Sequence, residues 1–237
     1  IAITDHDGIE GAQKAKKFAK KYNIIVIQGE EVTTKNGHLL AIGIQELIPP
    51  KRSVEETIDL IHQQGGIGIA AHPFDVRRYG MRHKAKFCDA TEVFNSLNAD
   101  RLSNLKCKSF VEKMNIPYTA GSDAHCIEMV GNGLNRINAS TEDEIIKAIR
   151  KGRNTLVTKY APLSTLMRYS VTKLQVSYNH TTNYINHNYF LPKRIVAKKM
   201  LSLVNHSPGK IDHLFKVFTY LTFGGAFIAS AARNALD

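Results

Sequence analysis

The chain has 237 residues, 43% apolar and 22% charged, with a formal net charge of +11. This length and composition suit one barrel-sized domain, or one domain with an appendage, and exclude a disordered or fibrous chain. Three cysteines, Cys88, Cys107 and Cys126, lack any C-x-x-C spacing, which excludes a disulfide framework and a zinc knuckle and makes a reducing cytoplasm the expected compartment.

In chain order, residues 1–4 read as a strand. Asp7-x-x-Glu10 then has the form of a helix-start capping box, with Ile9, Ala12, Ala15, Ala19 and Tyr22 on one apolar stripe. Further strands are expected at 24–27, 39–44, 67–71, 91–94, 118–120, 134–137 and 154–157, and helices at 53–64, 99–114 and 141–151. Alternating strands and helices predict parallel βαβ units, which place their chemistry at the carboxyl ends of the strands. Residues 178–189, crowded with Asn, His and Tyr without clear periodicity, read as a loop or linker. Helical segments follow at 191–205 and 210–232, broken at Pro208-Gly209. The expected division is 1–160 for the α/β domain and 161–237 for a basic helical extension.

Charge separates these parts. Residues 1–158 hold 22 Lys and Arg against 19 Asp and Glu, whereas residues 159–237 hold 10 against 2. A basic extension can meet nucleic-acid phosphates or lipid headgroups, and the simpler reading is a solvated surface. Residues 217–232 form a run of sixteen without charge, interrupted by Gly224-Gly225, short of the ~20 residues of a spanning helix. Docking against the barrel or a second subunit is the expected role. A helix at the membrane interface, which would make the protein membrane-peripheral, is the alternative.

The chemistry concentrates at the ends of the expected strands. His6 lies in Ile3-Thr-Asp-His-Asp7, Glu31 in Gly29-Glu-Glu-Val32 ahead of His38, His72 in Ala70-Ala-His-Pro-Phe74, and Asp123 and His125 in Ala120-Gly-Ser-Asp-Ala-His125. Imidazoles and carboxylates gathered at one rim of a sheet are the donor set of a divided metal site. An ideal two-residue turn at Asn36-Gly37 would pair Lys35 with His38 and leave Glu31 roughly 13 Å away, so shared ligation requires a bulge or a loop that curls back.

These segments, in this order, resemble the PHP (polymerase and histidinol phosphatase) family over about residues 1 to 160, in the stand-alone phosphoesterase form. The resemblance implies a distorted (β/α)7 barrel and a cluster of up to three divalent ions, with Mn, Zn and Fe all compatible. It implies that Glu31 bridges two metals, that His38 and His72 bind the second, that Asp123 binds the first, and that His6 and His125 bind the third. Glu31, His72 and Asp123 would carry the catalysis. The family's first motif, a His-x-His, is expected upstream of Ile3, so the chain reads as lacking the first motif and strand, with impaired activity as it stands.

The implied reaction is hydrolysis of a phosphate ester of a nucleotide, a nucleoside bisphosphate or a short nucleic-acid end, as in an exonuclease. The alternatives are a histidinol-phosphatase-like enzyme and a non-catalytic PHP-derived binding module. Arg77 and Arg78 follow the His72 motif as candidates to hold the substrate phosphate bidentately, against a simpler reading as a solvated loop. Asp5 and Asp7 read as capping or ligand-orienting groups, and Glu92 and Asn95 as strand-end groups able to line the site. His62, His83, His180, His187, His206 and His213 read as ordinary surface or hydrogen-bonded histidines, and Cys126 as a small filler.

Overall fold

Six strands lie side by side in chain order: β1 (Ala2–Ile3), β2 (Ile27–Thr33), β3 (His38–Ile42), β4 (Ile67–Ala70), β5 (Ala90–Asn95) and β6 (Tyr118–Gly121). They form a curled half-barrel sheet in a mixed α/β fold. The computed structural model describes residues 1–77, 79–98 and 100–235, with Asn234 and Ala235 described by backbone alone. Two units cluster separately: Ile1–Asp123, Gly131–Tyr160 and Ala226–Asp237 in one, Ala124–Val130 and Ala161–Gly225 in the other.

The all-parallel expectation is corrected. β1–β2, β4–β5 and β5–β6 are parallel, whereas β3 runs antiparallel to both neighbours. The β2–β3 connection spans only residues 34–37, too short for the crossover that parallel strands need. After β3 the chain returns along β2, where the Ile48 amide donates to Glu30 Oε2 and the Lys51 amide to the Thr33 carbonyl. Helix α2 (Val54–Gln63) then carries it back to β4, with Ser53 and Glu56 forming a reciprocal capping box.

The two faces of the sheet divide by residue parity. Val32, Leu39, Ala41 and Ala70 pack with Val54, Ile58 and Ile61 of α2. On the other face Ile27, Ile42, Ile67 and Ile69 pack with Ile146 and Ile149 of α4 (Glu142–Arg150). Glu31 lies four residues beyond Ile27 and His38 four before Ile42, so both share this second face with the isoleucines. One face is therefore apolar at one end of the strands and ligand-rich at the other. Helix α3 (Leu102–Met114) covers β5 through Cys107 and Val111, against Val93 and Phe74.

An antiparallel pair, β7 (Gly133–Arg136) and β8 (Thr155–Thr158), connected through α4, is joined to β6 by a side chain. The Asn135 amide accepts from the Ala120 N–H at 2.9 Å and donates to the Ala120 carbonyl at 2.8 Å, reproducing a peptide–peptide pair.

Two local expectations fail. Helix α1 (Glu10–Ala19) starts at Ile9 with no side-chain cap, because Asp7 Oδ1 instead accepts the Thr33 amide across the sheet. Residues 178–189 are not a linker: helix α6 (Tyr178–Asn188) occupies them. It buries only Ile185 fully and packs Tyr178 and Tyr189 partly, so its apolar positions are too sparse for the period to show in the sequence.

The second unit is helical, built from α5 (Leu163–Val176), α6, α7 (Leu191–Ser202) and the start of α8 (Asp212–Ala235). Val171, Ile185, Leu201 and Val204 make its core. Over Asp212–Arg233, α8 is long and apolar enough to cross a membrane, with mean hydropathy 1.4, and only 6% of its most apolar window is buried. Its residues from Ala226 onward cluster with the α/β unit, where Ser230 is buried and Arg233 Nη1 donates to the Val76 carbonyl at 3.4 Å.

Candidate metal centre

The rim that carries the ligands is formed by the carboxyl ends of β1, β2, β4, β5 and β6 and the amino end of the reversed β3. His6 continues β1 and pairs with Glu31 in a parallel bridge, held by the Glu31 amide to the Asp5 carbonyl and the Asp7 amide to the Glu31 carbonyl. His38 faces Thr33 rather than Lys35, because the connection takes four residues. Glu31 is therefore the diagonal same-face neighbour of His38, within side-chain reach. The two-residue-turn geometry is corrected accordingly, and the chain needs no bulge there to bring Glu31 to His38.

Around Glu31 the distances are short. Its Oε1 lies 2.7 Å from His38 Nδ1 and 3.3 Å from His72 Nε2, and its Oε2 lies 3.8 Å from His6 Nε2. Donor atoms of His6, Glu31 and His38 all fall within 4.8 Å of one another. His72 sits just past β4 with φ at 29°, and Asp123 just past β6 with φ at 47°. Both are in the left-handed region that non-glycine residues rarely adopt, a strain that persists where surrounding contacts hold it.

Those contacts centre on Glu92. Its Oε2 accepts the His72 amide at 2.8 Å and the Asn95 side-chain amide at 3.0 Å, and the same Asn95 nitrogen donates to Asp123 Oδ2 at 3.1 Å. Glu92 and Asn95 thus line the site, tying the β4, β5 and β6 ends together. A β-carbon on Gly121 would stand 1.8 Å from Glu92 Oε1, so glycine makes room for this carboxyl.

Charge and burial are balanced. Burial alone would raise the Glu31 carboxyl, but its contacts with His38 and His72, with the charges of His72 and His6, hold it well below the usual carboxylate range. Burial would lower His72, and Glu31, helped by Glu92 and Asp123, raises it to about 9. Glu92 is pushed up to about 7 by burial, with His72 opposing and Asp123 reinforcing the shift. Perturbed groups clustered this way mark functional sites more often than structural ones.

The residues fit a divalent cation. Besides the convergence of donor atoms, Nδ1 of His72 is buried with no hydrogen-bond partner, a costly state for a ring nitrogen that a Lewis acid relieves. Mixed imidazole and carboxylate donors suit Mn, Fe or Zn.

Of the other expected residues, His125 belongs to the second unit, its ring 5.2 Å from Tyr169. Arg77 is half-exposed and held by Asp75, Nε to Oδ2 at 2.8 Å and Nη2 to Oδ2 at 2.7 Å. Arg78 lies outside the described residues. Two neighbours were not anticipated. Tyr79 stacks on His38 with centroids 4.9 Å apart and planes 19° from parallel, while its carbonyl accepts the His38 amide. Asp75 reaches within 3.9 Å of His72 Nδ1. Their place three and seven residues past His72, in the loop that carries Arg77, was the available signal.

A sheet rim that gathers imidazoles and carboxylates around one buried carboxylate has the donor arrangement of a divided metal site. Residues 101–154 match the PHP-associated family. A two-domain protein from Bacteroides vulgatus, containing a predicted PHP-like metal-dependent phosphoesterase, superposes with TM-score 0.54 at 15% identity, over 71% of this chain and 59% of that one. Two uncharacterized proteins of Methanocaldococcus jannaschii are similar in sequence. MJ1587 is 38% identical over 106 residues, 44% of this chain, and MJ0417 is 31% identical over 156 residues, 55% of this chain. The matches span 62% and 66% of those two relatives, so the chain corresponds to less than two thirds of each. These likenesses agree with the PHP resemblance carried by the strand-end segments, over residues 101–154 in sequence and in the α/β fold.

Proposed function

We propose that the protein is a divalent-metal-dependent phosphoesterase. The observation that carries this reading is the convergence of His6, His38 and His72 on Glu31, with the buried Nδ1 of His72 left without a hydrogen-bond partner. His6, Glu31, His38, His72 and Asp123 would hold the ions, and His125 is assigned with them on the family resemblance alone. When bound, a pair of divalent cations supplies Lewis acidity to a phosphoryl oxygen and a source of hydroxide at neutral pH.

The chain's own residues do the positioning. Glu31 stays ionised and central. Glu92 fixes the His72 backbone, Asn95 holds Asp123, and Tyr79 restrains the His38 ring. Arg77, oriented by Asp75 and half-exposed, is placed to hold a substrate phosphate. The substrate class we propose is a nucleotide, a nucleoside bisphosphate or a short nucleic-acid end. We also take the curled six-stranded sheet as a distorted barrel of the PHP type.

Hydrolysis of p-nitrophenyl phosphate and of a nucleoside bisphosphate with added Mn or Zn tests the reading, with His72→Ala and Asp123→Asn as variants. Metal-dependent turnover lost in both variants is expected. Turnover that both variants retain would overturn the assignment of the site.

A further inference from the structure

Helix α8 is apolar on the face that water should see. Phe215, Thr219 and Phe223, spaced by four, are partly buried along one stripe. Elsewhere on the helix Val217, Leu221 and Ile228 are 54%, 65% and 69% exposed. A helix on the surface of a soluble protein carries polar residues there, and one that is apolar all round is covered by something. In α7, Leu191, Ile195 and Val196 are exposed as well, interleaved with the exposed Lys193, Lys198 and Lys199. An apolar groove of about 210 Å³ runs between α5 and α8, lined by Leu166, Leu174, Phe218 and Phe223 among others.

We propose that α7 and the apolar face of α8 form a surface that docks the protein on an anionic lipid bilayer. Charge selects the occupant. Residues 159–237 carry 10 basic against 2 acidic side chains, so a second copy seated on this face would set like charge against like. Anionic headgroups complement it. The uncharged run of sixteen residues, 217–232, is about 24 Å of helix, below the ~30 Å hydrocarbon thickness. A crossing over the full Asp212–Arg233 span would draw Asp212 and Lys216 toward hydrocarbon, so the helix lies in the interface, with lysine stems reaching outward to the headgroups.

Flotation of the whole chain with phosphatidylcholine vesicles, with and without phosphatidylglycerol, tests this. Binding to the anionic vesicles at least about tenfold tighter, and weakened by salt, is expected. Leu221→Glu with Ile228→Glu, at exposed positions that leave the fold intact by circular dichroism, should abolish flotation. Lys198→Gln with Lys199→Gln should weaken it about fivefold per lysine. Failure to float, or variants that float like the parent, overturns the proposal. A dimer in sedimentation equilibrium that Leu221→Glu with Ile228→Glu dissolves, without vesicle binding, overturns it too and gives the face to a second copy.

Discussion

Gly121→Ala is the substitution whose effect runs against its usual sign. No positive φ constrains Gly121, so an added methyl would ordinarily stabilise by about 0.4–1 kcal/mol through the unfolded chain. Here the new carbon falls 1.8 Å from Glu92 Oε1 and 3.0 Å from Glu92 Cδ, so the buried carboxyl must leave. Its departure strands the His72 amide and the Asn95 side-chain amide, bonded at 2.8 and 3.0 Å. A buried donor left unsatisfied costs about 1–3 kcal/mol. With two donors stranded and the small entropic gain subtracted, we expect a loss of roughly 2–5 kcal/mol. Urea unfolding followed by far-UV circular dichroism measures it, and amide exchange at His72 should quicken in parallel. In a Glu92→Ala background the methyl enters vacated space and should cost nothing, giving a large coupling in the double-mutant cycle. A Gly121→Ala protein as stable as the parent, or a cycle without coupling, would refute the role given to Glu92.

Other outcomes follow from the same contacts. Asn135→Leu keeps volume but removes both hydrogen bonds to Ala120, so a loss of about 1–3 kcal/mol and faster exchange of the Ala120 amide are expected in hydrogen-exchange mass spectrometry. Phe74→Ala empties a site that is 2% exposed between Val93 and Val111, and should cost about 3–5 kcal/mol in urea unfolding. Mn or Zn at about a hundredfold its dissociation constant should stabilise the parent by ~2.7 kcal/mol in thermal unfolding. Calorimetric titration should show that binding weakened by more than tenfold in Glu31→Gln, and chelator should reverse the stabilisation; a Glu31→Gln protein that binds as the parent does would remove Glu31 from the site.

Helices α2, α3 and α4 are legible in the chain to within a few residues; α2 and α4 have an apolar stripe of clear period and open on Ser/Thr-x-x-Glu, whereas the pattern of α3 is weaker, with Ser103 and Asn104 among its buried residues. Most strands are legible as apolar runs, but β2, expected at 24–27, lies at Ile27–Thr33 and carries Gln28, Glu30 and Glu31; the identity of His6, Glu31, His38 and His72 as a candidate set follows from their place at strand ends. Local pattern misled where a side chain had a better distant partner. Asp7 has the form of a cap, but the Thr33 amide claims it.

What the order of residues determines here is local: which segments are apolar, with what period, and which donors lie near their ends. What tertiary structure alone decided is direction and register. The reversal of β3 follows from a four-residue connection, and the pairing of His38 with Thr33 sets Glu31 on the same face at a 2.7 Å approach. A one-residue slip in that register would turn His38 to the opposite face. The same holds for Glu92 and Asn95, which the chain offers only as strand-end groups able to line the site and whose bonds to His72 and Asp123 arise only where separate strands end at one rim, and for Gly121, which makes room for the Glu92 carboxyl. Non-local pairing is a property of the assembled sheet, and no short window of sequence contains both partners.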